Sequence, residues 1–162
     1  MLSTADVLGI YSELAIGIAG FGGVAAAFSG RERRFMPTEL IRLQSLLLSS
    51  ASVVVGCFAY YVASVGEASE PRAIVAAGVF SLGITVFFSC TIIPRAWRGA
   101  SDPESTSRVP ILWVFTIMTV TILLTYSGTI ALGGAPALLL TGFSSQLTFA
   151  LWMIARLLTR PN

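Results

Sequence analysis

Histidine and lysine are absent, and all ten basic residues are arginine. These two absences exclude retinal held as a lysine Schiff base, histidine-ligated haem, histidine-containing zinc sites, and Ser-His or Cys-His catalysis. Charge of either sign is scarce: 11% of the 162 residues are charged while 55% are hydrophobic, with a mean hydropathy of +0.83. That balance lies far outside the range of soluble domains and describes an integral membrane protein. The two intramembrane aspartates that a membrane aspartyl protease requires are also missing, because Asp6 and Asp102 both fall outside the apolar runs. No CxxC pair and no glycine-rich phosphate loop is present, so no catalytic residue, metal or cofactor is expected. No nucleic-acid contact is expected either. Two cysteines complete the scarcities. Cys57 and Cys90 lie near opposite ends of their segments, roughly 18 Å apart along the membrane normal at 1.5 Å per residue, too far to be bridged. Both are expected to be small core residues.

What is present is long apolar sequence. Five stretches, at residues 7–28, 38–63, 73–93, 111–132 and 137–158, each reach the roughly 20 residues needed to cross about 30 Å of hydrocarbon. Proline marks their limits: Pro37, Pro71, Pro110 and Pro136 sit at the starts, where the missing N–H costs nothing, and Pro94 and Pro161 follow the ends. No proline falls inside a stretch, which argues against the broken helices of a transporter core. The expected fold is all-α, a single domain over residues 1–162 forming a polytopic membrane bundle of five transmembrane helices.

Arginine orients that bundle. Arg31, Arg33, Arg34 and Arg42 flank the first connection, Arg95, Arg98 and Arg108 the third, and Arg156 and Arg160 the C-terminus, leaving Arg72 alone on the opposite side. The positive-inside rule then places the N-terminus outside and the C-terminus in the cytoplasm. Tyr11, Tyr60, Tyr61 and Tyr126 fall toward the outer interface and Trp97, Trp113 and Trp152 toward the inner one, as interfacial belts do. The first stretch is preceded by an acid and no base, so it reads as a retained helix rather than a cleaved signal.

Packing signals are of two kinds. In the first stretch, Ile10, Leu14, Ile18, Phe21 and Phe28 share one arc suited to lipid. Small residues, Ala15, Ala19, Gly22, Gly23 and Ala26 with Gly17 and Gly20, cover most of the rest, predicting a helix central to the bundle or to an oligomer interface. Hydroxyls recur at helical spacing elsewhere: Ser45, Ser49 and Ser52; Ser81, Thr85 and Ser89; Thr121, Thr125 and Thr129; Thr141, Ser145 and Thr148. Each stripe either bonds carbonyls and neighbouring helices as packing glue or lines a narrow hydrated path. Of these, Ser45, Ser49, Ser52, Ser81, Thr85 and Ser89 are the candidate pore-lining set.

Glu13 is the one acid well inside an apolar run, about six residues or roughly 9 Å below its outer end. A carboxylate in hydrocarbon is costly and faces a partner or water, which makes Glu13 the candidate for a pore, proton or cation role. Tyr60, Tyr61, Tyr126 and Arg72 are the possible partners at its level. Glu39 and Arg42, three residues apart, form either an intrahelical ion pair or a charged ring at a cytoplasmic vestibule. Arg31, Arg33, Arg34, Arg95 and Arg98 are placed to meet anionic lipid headgroups. The polar, turn-prone segment 95–108 has room for a partner epitope.

Residues 13–48, with AIGIAGFGGVAAAF, then RERRF, then ELIRLQSLLLSS, resemble a group of small bacterial integral membrane proteins without an assigned activity. The shared pattern is a glycine-rich first helix ending in AGF-x-G-V, an arginine-bearing loop, and an acid followed by R-L at the start of the second helix. The resemblance implies a multi-pass location in the bacterial inner membrane. Function is expected to be that of a homo-oligomeric channel or pore for ions or small solutes. The other expectation is a non-conducting scaffold or regulatory subunit that binds a partner through residues 95–108.

Overall fold

The computed structural model describes residues 3–30, 37–98 and 109–158. They form five helices: α1 (Thr4–Gly30), α2 (Pro37–Val65), α3 (Glu70–Arg98), α4 (Val109–Ala131) and α5 (Pro136–Leu158), with no strand among the described residues. The chain is all-α, as expected. α1, α2, α3 and α5 are long and apolar enough to cross a membrane, and in α4 the described apolar stretch is Thr116–Ala131.

The helix limits have local causes. Ser3 caps α1: its hydroxyl accepts from the Asp6 N–H at 3.2 Å, while Asp6 Oδ2 accepts from the Ser3 N–H at 2.9 Å, a reciprocal capping box. Pro37 and Pro136 open α2 and α5, and Pro71 and Pro110 are the second residues of α3 and α4. α3, however, runs past Pro94 to Arg98 instead of ending there. The ring removes one bond to the carbonyl four residues back, a loss that an apolar helix tolerates without breaking.

Two tight turns sit at the same end of the molecule. Residues 66–69 join α2 to α3 through Glu67 at φ 58°, and residues 132–135 join α4 to α5 through Gly133 and Gly134 at φ 65° and 99°. Gly134 is required twice over, since its left-handed φ excludes most side chains and a Cβ there would strike the Pro71 carbonyl. Thr4 donates a hydrogen bond to Glu70 at this end, and Tyr61 donates one to the Ala5 carbonyl at 2.7 Å, which fastens α1 beside the α2–α3 turn.

Short turns make sequential helices antiparallel neighbours. α2, α3, α4 and α5 close into a ring in which α2 packs on α3 and α5, and α4 packs on α3 and α5. α1 lies outside this ring against α2 and α5. Only 17% of the apolar stretch of α1 is buried, against 50% in α2 and in α5, so α1 is peripheral and not central to the single bundle. The cause is that α1 turns only part of its circumference inward: Leu8, Ala15 and Gly22 are buried, with Leu46 filling the space over Gly22. Gly17, Gly20 and Gly23 face open space, and Ile10, Leu14 and Phe21 are exposed as their arc predicts. Within the ring, one apolar cluster gathers Val53, Cys57, Ile74, Ile122, Leu139 and Phe143, and a second gathers Leu46, Phe88, Ile92, Phe149 and Met153. Cys57 is a core residue as expected, but Cys90 is exposed because its position on α3 faces away from the ring.

Candidate functional site

Between the two apolar clusters lies a layer of hydrogen-bonded polar side chains contributed by all four ring helices. Gln146 on α5 is its hub. The Gln146 amide nitrogen donates to Ser52 Oγ on α2 and to Thr85 Oγ1 on α3, each at 3.0 Å, and its carbonyl oxygen accepts from the Tyr126 hydroxyl of α4 at 2.7 Å. Ser52 and Ser81 then donate to each other's backbone carbonyls, at 3.2 and 3.1 Å, which ties α2 to α3 through the main chain. Thr85 completes the layer by donating to the Ser81 carbonyl at 2.8 Å. The two helices approach closely here because α2 carries Gly56: a Cβ at that position would collide with Ser81 Oγ and come within 2.8 Å of the Phe143 ring. Every member of this layer is buried.

Of the candidate pore-lining hydroxyls, Ser52, Ser81 and Thr85 are thus brought together, and their donors are used inside the single chain. Ser45 is buried and donates to the Ile41 carbonyl, and Ser89 donates to the Thr85 carbonyl, the back-bonding that serines in helices commonly make. Ser49 is buried beside the layer. Tyr126, assigned by its height to the outer interfacial belt, is instead fully buried with its hydroxyl on Gln146. The height of a residue in a span does not fix the direction in which it points, and here the ring interior supplies a buried acceptor. Gln146 itself escapes a search for charges and hydroxyl stripes. The signal that finds it is its rarity, since the chain has two glutamines and only this one lies deep in an apolar run.

The outer surface of the bundle carries the other polar groups. Glu13 is exposed on α1 and lines an open groove of about 460 Å³ with Ile10, Leu14, Gly17, Ile18 and Phe21 of α1 and Leu151 and Ile154 of α5. It lies nine residues beyond Thr4, about 13 Å along the helix. No hydrogen bond joins it to another described residue, and the expected tyrosine partners are engaged elsewhere or turned inward: Tyr61 on Ala5, Tyr126 on Gln146, Tyr60 in the core. On the other flank of α5 a second open groove, of about 390 Å³, is lined by Thr121 and Met118 of α4 and by Leu140, Thr141, Ser144, Ser145 and Thr148 of α5. Tyr11 of α1 and Ser144 share a 2.6 Å hydrogen bond between the two grooves. The stripe on α5, unlike those on α2 and α3, therefore faces outward.

Arg42 is half-buried near the start of α2. The side chains of Glu39, Arg31, Arg33, Arg34, Arg95 and Arg98 lie outside the described residues, as does the segment 99–108 of the candidate partner loop.

These features define the class as that of an α-helical membrane protein with a polar layer inside its bundle. No protein-family model, curated protein or solved structure matches the chain.

Proposed function

We propose that the chain is a five-span protein of the bacterial inner membrane, N-terminus outside and C-terminus in the cytoplasm, that assembles as a homo-oligomeric channel or pore for ions or small solutes. The pathway runs between copies rather than through one. The observation that carries this reading is the outward position of Glu13 on α1, together with a separate open groove of α4 and α5 walled by Thr121, Thr141, Ser144, Ser145 and Thr148. Ionisable side chains at membrane depth face a bundle interior or water and not lipid, so an acid on the outside of one bundle belongs on the inside of an assembly. The ring interior supports the same division, because the hydroxyls of Ser52, Ser81 and Thr85 already donate to backbone carbonyls, and those of Ser52 and Thr85 accept from Gln146. Open space over Gly17, Gly20 and Gly23 permits the close approach of a second copy's helix to α1.

The test is purified protein in planar bilayers, with its assembly size measured in parallel by native mass spectrometry. Currents from an oligomer support the reading. Silence from protein shown to be folded and inserted removes it.

A second reading, a non-conducting scaffold or regulatory subunit, is favoured by the closed, hydrogen-bonded interior of the α2–α5 ring, which suits a rigid support. Its contact with a partner runs through residues 95–108. Copurification of a stable partner that is lost when those residues are replaced by glycine and serine supports it.

A further inference from the structure

Glu13 is the one polar side chain in its groove. Leu14, Ile18 and Phe21 of α1 and Leu151 and Ile154 of α5 wall much of the rest of its volume of about 460 Å³, which is in the range of small-molecule sites. The carboxylate stands toward one end, since Ile10 is three residues before it and Phe21 is eight residues after it, about 12 Å further along the helix. α1 and α5 both start at the end of the molecule where Thr4 meets Glu70 and Gly134 meets Pro71, so they run parallel. Leu151, fifteen residues beyond Pro136, is therefore near the height of Phe21, seventeen beyond Thr4, and the groove is apolar away from Glu13. The apolar span of α1, Thr4–Ala25, has its limits nine residues before and twelve residues after Glu13. The carboxylate is thus about 13 Å or more along the helix from either limit, out of reach of headgroup amines, which stay in the interfacial layer. Of the ten arginines, only Arg42 and Arg72 fall inside an apolar span, each two residues from its limit. Neither this chain nor a second copy packed level with it brings the opposite charge to that depth.

We propose that the groove of Glu13 is a binding site for a lipophilic organic cation, one whose charge is carried on an apolar body. Charge complementarity selects this occupant. A carboxylate at membrane depth faces a counter-charge or water, and a small metal cation finds in one chain a single carboxylate where it needs several oxygen ligands. A cation wrapped in hydrocarbon needs no such set of ligands. It sets its charge beside Glu13 and lays its apolar part along Leu14, Phe21 and Leu151, all of which are exposed. The site is complete in one chain and so goes beyond the pore reading, which requires several.

The test is equilibrium dialysis of the purified full chain in neutral detergent against radiolabelled tetraphenylphosphonium, with tetraphenylborate, an anion of the same shape, as the control. The expected result is saturable binding of one tetraphenylphosphonium per chain and no saturable binding of tetraphenylborate. Glu13→Gln weakens the binding by about tenfold or more, as the loss of one member of a poorly solvated charge pair does. Gly17→Leu keeps the carboxylate but fills the groove, because nothing lies within 4 Å of a Cβ at Gly17, and it weakens the binding as well. Helical circular dichroism equal to wild type shows that each variant is folded; should Gly17→Leu not fold, Glu13→Gln decides. Equal binding of the two ions would give the groove to any apolar body, a lipid chain included, and overturn the proposal. One cation shared by two chains, binding unchanged in a folded variant, or no saturable binding at all would overturn it too. Bound cation is read here and not current, so a silent bilayer bears on the pore and leaves this site to its own result.

Discussion

Gln146 makes three hydrogen bonds to three other helices, an arrangement that no apolar residue of similar volume reproduces. At about 0.6 kcal/mol for an average interhelical bond in a membrane protein, Gln146→Leu is expected to cost about 2 kcal/mol, read from unfolding by denaturing detergent. A stability equal to wild type would show that the layer is not an anchor. Gly56→Ala tests the close approach at the same level. Its Cβ meets Ser81 and the Phe143 ring, so overpacking of about 1 to 3 kcal/mol is expected. Gly17→Ala has no neighbour within 4 Å of the new carbon and should leave the stability of the single bundle unchanged. At this scale the candidate site was only partly legible. Ser52, Ser81 and Thr85 stand out by their spacing, and they do meet in the structure. Tyr126 and Gln146 do not, because height along a helix can be counted from residue numbers whereas direction around it depends on which neighbours surround it.

Among the elements, the helices themselves are legible to within a few residues. Apolar runs of sufficient length and prolines at their starts determine them with little help from tertiary contacts. α1 is the exception in placement. Its glycines and alanines permit close packing on nearly every side, so its composition could not say which side the ring would occupy. The structure buries Leu8, Ala15 and Gly22 and leaves Gly17, Gly20 and Gly23 outward. α5 differs because its two faces have opposite chemistry. Gly142, Phe143, Gln146 and Ala150 turn inward, and Thr141, Ser144 and Thr148 turn outward. A homo-oligomer built on the outward faces makes a prediction proper to α1: Gly20→Leu keeps the five-helix fold, as seen by unchanged helical circular dichroism, but shifts the assembly mass toward the monomer. An unchanged mass would move the interface away from α1.

For the whole molecule, the interior and exterior polar groups divide the work. The ring of α2 to α5 is held by the bonded side chains of Ser52, Ser81, Thr85, Tyr126 and Gln146, and the outer surface carries a carboxylate and a hydroxyl-lined groove. The proposed sidedness rests on arginine alone, and many of those arginines lie in or next to connections outside the described residues. The most direct measurement of the account is the reversal potential of currents across planar bilayers under a salt gradient, compared between wild type and Glu13→Gln over a range of pH. If copies assemble around Glu13, wild-type currents favour cations, and the substitution weakens that preference and flattens its pH dependence. Identical reversal potentials and pH profiles in the two proteins would take Glu13 off the pathway and contradict a pore built on the outer face of α1.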